Sequence, residues 1–296
     1  MRRIAVGILL ITLFFTLPGC YKNEKRDENR YSISSITGEQ EEMVNIILYF
    51  PDSNAEYLIP ETRLVKFNKS LENTVIKELL NGPSATDIES PIPEGTRLIS
   101  IDRKGDRVTL NFSKEFIKNH PGGSTGETMT IFSIVNSLTE IPGIKEVLFK
   151  VNGKAYETLA GHMIFNEPFK RNRSLFKRGR NLNPSQVLKK QMELEKQGKW
   201  LEAYLLMSDD ENNPDRKYYH DYVKEMEEVK GLGFTQQDFV VGGYTIEKGS
   251  NRASVKVNFY IEGGDGSKQP GDDLYFNCVN IEEVWMVDWL TSQDMD

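Results

Sequence analysis

The sequence predicts an α+β protein with two folded parts, and three observations carry that prediction. Between Met43 and about Asn166, runs of alternating apolar residues take turns with runs whose apolar residues recur every three to four positions. After Asn183 the order changes, with helical patterns first and a series of period-two runs behind them. Between these parts, residues 168–180 hold six Lys and Arg and no acid, giving +6 against −3 for 43–167 and −10 for 181–296. A chain of 296 residues with 38% hydrophobic and 10% aromatic content has the material for such cores.

The amino-terminal stretch opens with Arg2 and Arg3 and continues as an apolar run from Ile4 to Leu17. That is shorter than the roughly 20 residues a membrane span requires, so it is expected to be a secretory signal. It ends in Leu17-Pro18-Gly19-Cys20, which resembles the lipobox of bacterial lipoproteins. The resemblance implies a signal peptide over 1–19 and a diacylglycerol on Cys20. Residues 21 to 42 are polar and without apolar period, so 20–42 is predicted to be a flexible tether. Lipidation leaves Cys278 as a single thiol, predicted to be buried in the strand-like run Leu274–Val279.

In the first folded part, Val44 to Tyr49 is a β-rich run followed by the turn Pro51-Asp52-Ser53-Asn54, and Arg63 to Phe67 is a second short strand. Asn68 to Leu80 changes period: Leu71, Val75, Ile76, Leu79 and Leu80 share one helical face, and Asn81-Gly82-Pro83 is a stop. Arg97–Asp102 and Arg107–Phe112 flank Arg103-Lys104-Gly105-Asp106 as a hairpin. Ser124 with Glu127 has the spacing of a capping box that opens a second helix through Leu138. Glu146–Val151 is the last strand of this part, with a turn at Asn152-Gly153.

This order carries a family resemblance. Leu48-Tyr49-Phe50, Leu79 to Pro83, Ile92-Pro93-Glu94-Gly95-Thr96, Val108 to Ser113, the Gly-rich stretch Gly122 to Gly126, and Ile141 to Val147 leading to Val151-Asn152-Gly153-Lys154 together resemble the GerMN domain of sporulation and spore germination. The resemblance covers 43–166 in a single copy. It implies an α/β domain similar to ring-building modules, found in exported lipoproteins of Gram-positive bacteria and working by protein association.

Residues 167–182 are expected to form a solvated basic linker. Its cations Lys170, Arg171, Arg173, Lys177, Arg178 and Arg180 are candidates for contact with an anionic lipid or wall polymer, at about 1 kcal/mol for each charge near such a surface. A nucleic-acid role is disfavoured by the net charge of −7.

The second part, 183–296, begins with a cap and proline at Asn183-Pro184. Helices are predicted at Val187–Gln197, Trp200–Met207 and Arg216–Lys230, then strands at Asp238–Glu247, Arg252–Ile261, Leu274–Asn280 and Val284–Leu290. This order, with Val284-Trp285-Met286-Val287-Asp288-Trp289 at its end, resembles an NTF2-like domain: helices on one face of a curved antiparallel sheet. Domains of that kind host enzymes, binders and interaction modules alike.

Site chemistry is sparse. His220-Asp221, Asp209-Asp210 and Asp288 are the available acid/base groups for a cone-shaped pocket, with His220 expected on an exposed helix face. His120 and His162 lie in turns with no partner at metal-ligand spacing. Gly122–Gly126 lacks the Gly-Lys-Ser/Thr of a phosphate loop, and no Gly-x-Ser-x-Gly elbow occurs. No catalytic residue, metal or cofactor is expected. The leading expectation is therefore a non-enzymatic, lipid-anchored protein on the extracytoplasmic face of the cell membrane, joining envelope or membrane proteins through its GerMN-like domain. The alternative is a module, or an enzyme, that uses the pocket of the second part for a small molecule or wall fragment.

Overall fold

The computed structural model describes residues 42–289, apart from 69, 86, 87, 89, 178–181 and 263–265. The signal peptide, Cys20, the tether up to residue 41, Arg178 and Arg180 lie outside the described residues.

Strand β1 (Met43–Pro51) pairs antiparallel with β2 (Leu58–Lys66) along its full length. The uninterrupted apolar run in β1 is what a strand covered on both faces requires. Val44, Ile46, Leu48 and Phe50 enter one hydrophobic cluster, whereas Ile47 and Tyr49 enter another. Among the described residues, no further strand pairs with the other edge of β1. Side chains satisfy it instead. Ser137 Oγ accepts from the Tyr49 N–H at 2.9 Å, Ser133 Oγ donates to the Tyr49 carbonyl, and His220 Nδ1 accepts from the Asn45 N–H at 3.1 Å.

Helix α1 (Leu71–Leu80) starts at Ser70, whose hydroxyl accepts from the Asn73 N–H, and ends at Asn81, with Gly82 at φ 80 turning the chain. It buries Val75, Ile76 and Leu79. Strands β3 (Leu98–Lys104) and β4 (Arg107–Phe112) form the predicted hairpin. A short helix α2 (Glu115–Lys118) and the long helix α3 (Ser124–Leu138) follow. The chain then returns as β5 (Glu146–Val151), parallel to β4, an arrangement that needs a crossover such as α3.

The capping box expected from Ser124 and Glu127 is absent. Gly123, at φ 80, is the cap, and Ser124 is already helical. Glu127, fully buried, instead accepts from the backbone N–H groups of His162, at 3.2 Å, and Met163, at 2.9 Å, tying the 160s loop to the first turn of α3.

Within the predicted linker 167–182, the described residues 167–177 are not a solvated connection. Phe169–Lys170 form β6, which completes a sheet of order β3-β4-β5-β6, and Arg173–Leu175 make a single 3-10 turn. Arg171 and Phe176 are buried. The described residues of both parts fall within one compact unit.

The second part follows the predicted order. Helix α4 (Pro184–Lys196) carries a true capping box between Asn183 and Gln186, with Pro184 at its start. Helices α5 (Trp200–Tyr204) and α6 (Tyr219–Gly231) come next. Strands β7 (Phe239–Ile246), β8 (Arg252–Glu262), β9 (Lys268–Pro270), β10 (Leu274–Ile281) and β11 (Val284–Val287) build an antiparallel sheet of order β11-β10-β8-β7, with β9 extending along β8. Val187, Leu188, Met192 and Ala203 from the helices pack on Val255, Val257, Cys278 and Val287 from the sheet. The α+β architecture, with helices on one face of an antiparallel sheet, is as the sequence predicts.

Candidate functional site

The densest polar chemistry among the described residues is a buried ionic cluster centred on Glu140. Its members come from five places in the chain: Tyr49 from β1, Glu140 just beyond α3, Arg171 and Arg173 from the stretch after β6, Tyr204 and Asp209 from α5 and the loop behind it, and Arg216 ahead of α6. The side chains of Glu140, Arg171 and Arg216 are 2%, 3% and 4% exposed.

Glu140 Oε1 accepts from the Tyr49 hydroxyl at 2.7 Å and from Arg171 Nη2. Its Oε2 accepts from Arg216 Nη2 at 2.9 Å, and the Tyr204 hydroxyl is shared between this oxygen at 3.3 Å and the Lys217 carbonyl at 3.1 Å. Arg171 donates from Nε to Asp209 Oδ2 at 3.1 Å and from Nη1 to the Asn136 carbonyl at 3.1 Å. Its guanidinium carbon lies 4.8 Å from the centroid of the Phe176 ring. Arg173 Nε donates to the other oxygen of Asp209 at 3.1 Å, and Arg216 Nη1 to the Thr139 carbonyl at 3.2 Å.

Burial alone would neutralise Glu140. The opposing pull of the Arg171 and Arg216 guanidinium groups, with the Tyr49 hydroxyl, holds its carboxyl below the usual carboxylate range. Burial likewise works against the charge on Arg171, and Glu140, Tyr49 and Asp209 overcome it. Both Glu140 oxygens are taken by protein donors, so nothing is left to exchange a proton with a substrate. The cluster acts as a joint: each charge is matched by a partner from another segment, and removing one would strand the others in a poorly solvated interior.

This corrects the sequence reading of two candidate cations. Arg171 and Arg173 point inward to Glu140 and Asp209 and are not available to an external anion. Lys170 and Lys177 are exposed. Glu140, Arg216, Tyr49 and Tyr204 were not singled out by sequence. The available signal was a lone acid, Glu140, inside the otherwise uncharged run Ile134–Ile144.

The other candidates are dispersed. His220 is half-buried and not exposed as expected, because its ring accepts the Asn45 N–H and so fastens α6 to β1. His120 accepts from the Gly122 N–H at 2.9 Å through Nδ1, and its Nε2 lies 3.0 Å from Thr130 Oγ1. Because the Thr130 hydroxyl donates to the Pro91 carbonyl at 2.6 Å, Nε2 carries the proton. Burial lowers the pKa of His120, in line with that neutral form. Asp288 pairs with Arg252 at 2.8 Å and accepts from Asn213 at 2.9 Å. Burial raises its pKa. Cys278 is fully buried, as predicted, with Sγ 3.7 Å from the Pro184 carbonyl.

An open cleft of about 520 Å³ lies between α4 and strands β7 to β9, lined by Lys189, Glu193, Lys196, Asp238, Phe239, Tyr260 and Lys268. Asp238 bridges Lys196 at 2.7 Å and Lys268 at 2.6 Å, and these two hydrogen-bonded ammonium groups bring it down to about 2. His220, Asp209 and Asp288 do not line this cleft.

Residues 47–157 match the family model Germane, described as sporulation and spore germination. The GerMN resemblance holds over that segment. The spore germination protein GerM of Bacillus subtilis is 33% identical over 112 residues, which are 35% of this chain and 30% of that protein. This chain therefore spans under a third of the curated relative's length. The tandem GerMN domains of that protein, in a solved structure, are 26% identical and cover 48% of this chain and 50% of that one, with a TM-score of 0.36. A structure described as a "Putative Lipoprotein" from Clostridium perfringens is 28% identical, covers 46% of this chain and 93% of that one, and has a TM-score of 0.33. One described as a "Putative NTF2-like transpeptidase" from Campylobacter jejuni is 16% identical, covers 37% of this chain and 100% of that one, and has a TM-score of 0.25. The architecture given above rests on this chain's own strand pairing and packing.

Proposed function

We propose that this protein is a non-enzymatic, lipid-anchored interaction protein of the cell envelope that acts in sporulation or spore germination, with its GerMN-type segment as the associating part. The observation that carries the reading is the match of residues 47–157 to the sporulation and germination family. Two features support the finer points. The apolar run ending in Leu17-Pro18-Gly19-Cys20 supports an anchor at Cys20. The polar side chains with the strongest couplings are occupied with one another in the Glu140 cluster, which favours a scaffold over a reaction centre.

The test is made in the protein's own host. Wild-type protein labelled in cells with a fatty-acid analogue should carry the label and fractionate with membranes, and Cys20→Ala should lose both. Deleting the gene should lower the yield of heat-resistant spores or delay their germination. Normal spores and normal germination in the deletion strain would overturn the assignment, and label on the Cys20→Ala protein would overturn the anchor.

A further inference from the structure

Helices α1 and α3 cover one face of the β3-β4-β5-β6 sheet, and its inward residues Val108, Leu110, Phe112, Val147, Phe149 and Val151 are buried. Alternation puts the intervening residues on the opposite face. There the register aligns Lys104, Arg107, Glu146 and Lys170 in one row across all four strands. Asp102 and Lys150 lie on the same face in neighbouring rows. Lys104 is 84% exposed, Lys170 67% and Arg107 47%. Four cations thus face two acids, and both acids are paired: Glu146 with Arg107 at 2.6 Å and Lys170 at 3.7 Å, Asp102 with Lys104 at 3.5 Å. The face carries a net positive charge on a chain whose total is −7 and whose segment 181–296 is −10.

We propose that this open sheet face docks on an anionic lipid surface, and that the basic contact expected of the linear segment 167–182 resides here, with Lys170 as the residue common to both. Three arguments select lipid over an acidic protein. Between the charges the two central strands offer Thr109, Asn111 and Leu148 and no aromatic ring, whereas protein interfaces draw their energy from desolvated aromatic and Arg anchors. Arg107 is already engaged by Glu146. The charge asymmetry of the molecule also orients it, because an anionic plane attracts this face and repels the acidic second part. A few Lys and Arg contribute only a weak attraction. That is enough for a body held near the surface, and here the inference rests on the anchor at Cys20: 23 residues of chain keep Met43 within about 80 Å of it.

The test uses the unlipidated chain from Tyr21 to Asp296, which retains the whole compact unit, in sedimentation with vesicles of equal parts phosphatidylglycerol and phosphatidylcholine or of phosphatidylcholine alone. Binding should require the anionic lipid and fall with added salt. The triple variant Lys104→Gln, Lys150→Gln, Lys170→Gln should melt like the wild type and bind the anionic vesicles about 100-fold more weakly, from roughly fivefold for each charge. The matched set Lys190→Gln, Lys224→Gln, Lys248→Gln in the second part should bind normally. Equal binding to both vesicle types, or equal loss in both variants, overturns the proposal. So does full release by soluble poly(glycerol phosphate) at matched phosphate, which would make the ligand a soluble or wall polyanion. Because this chain has no lipid, vesicle binding without cellular labelling at Cys20 would refute only the anchor, and the reverse result only the face.

Discussion

Replacing Arg171 by Met tests whether the Glu140 cluster holds the two parts of the molecule together. Methionine keeps an unbranched apolar stem and removes the guanidinium, together with its stacking over Phe176. Lost with it are the pairs to Glu140 and Asp209 and the bond to the Asn136 carbonyl. Arg216 still faces Glu140 and Arg173 still faces Asp209, so neither acid is wholly abandoned. Removing one partner of a buried pair typically costs about 3–5 kcal/mol. The retained partners place this variant toward the lower end. For a body of this size that is a fall in Tm of about 10 °C, read by calorimetry or by circular dichroism. Wild type should unfold in a single transition, because the cluster spans both parts. In a double-mutant cycle with Glu140→Gln the two effects should be far from additive, with a coupling of about 1–3 kcal/mol. A destabilisation below about 1 kcal/mol, additivity of the two changes, or two well-separated transitions in the wild type would refute the reasoning.

Two further outcomes follow from buried titratable groups. Glu195, packed under Tyr222 and near Glu225, has its pKa raised by burial from 4.5 to about 7. Its contribution to stability is therefore full below about pH 4.5 and is lost as pH rises through 7, by at most about 3 kcal/mol. Glu195→Gln should flatten the fall in Tm between those pH values, and an unchanged pH profile would contradict the assignment. Cys278, its thiol pushed up to about 12 by burial and by the charge of Asp288, should resist a maleimide at neutral pH in the native protein and react fully in denaturant. Labelling of the native chain at the rate of a free thiol would show that the strand opens readily.

Local features of this fold were legible because they follow from local chemistry. The alternation in Arg107–Phe112, the Ser70 and Asn183 caps and the glycine stop at Gly82 each need only a few neighbouring residues to act. Arg171 was misread for the complementary reason. A cation among cations belongs in water unless acids are brought to it, and its partners Glu140 and Asp209 lie 31 and 38 positions away in sequence. Glu127 was misread because a carboxylate three residues after a serine has the spacing of a box, and only the 160s loop, 35 positions on, competes for it. The positions that misled are those where tertiary partners outbid local ones.

The same long-range coupling restricts where the GerMN-type segment can meet a partner. Ile47, Tyr49, Leu58 and Met129 belong to that segment by sequence, yet all four are buried in the cluster built by the second part. Exposing four such side chains costs about 6–12 kcal/mol at the usual value for burying an apolar residue, which is comparable to the entire stability of an ordinary domain. An excised 43–166 should consequently lose its cooperative unfolding. The side of β1 that faces the second part is in the same way closed to association. What remains open on this segment is chiefly the outward face of the four-stranded sheet, together with isolated apolar residues such as Ile59 and Leu64 on β2 and Ile99 on β3. Association through the segment must use that remaining surface, so a partner and an anionic membrane would compete for Lys104 and Lys170 unless the partner takes the β2 side.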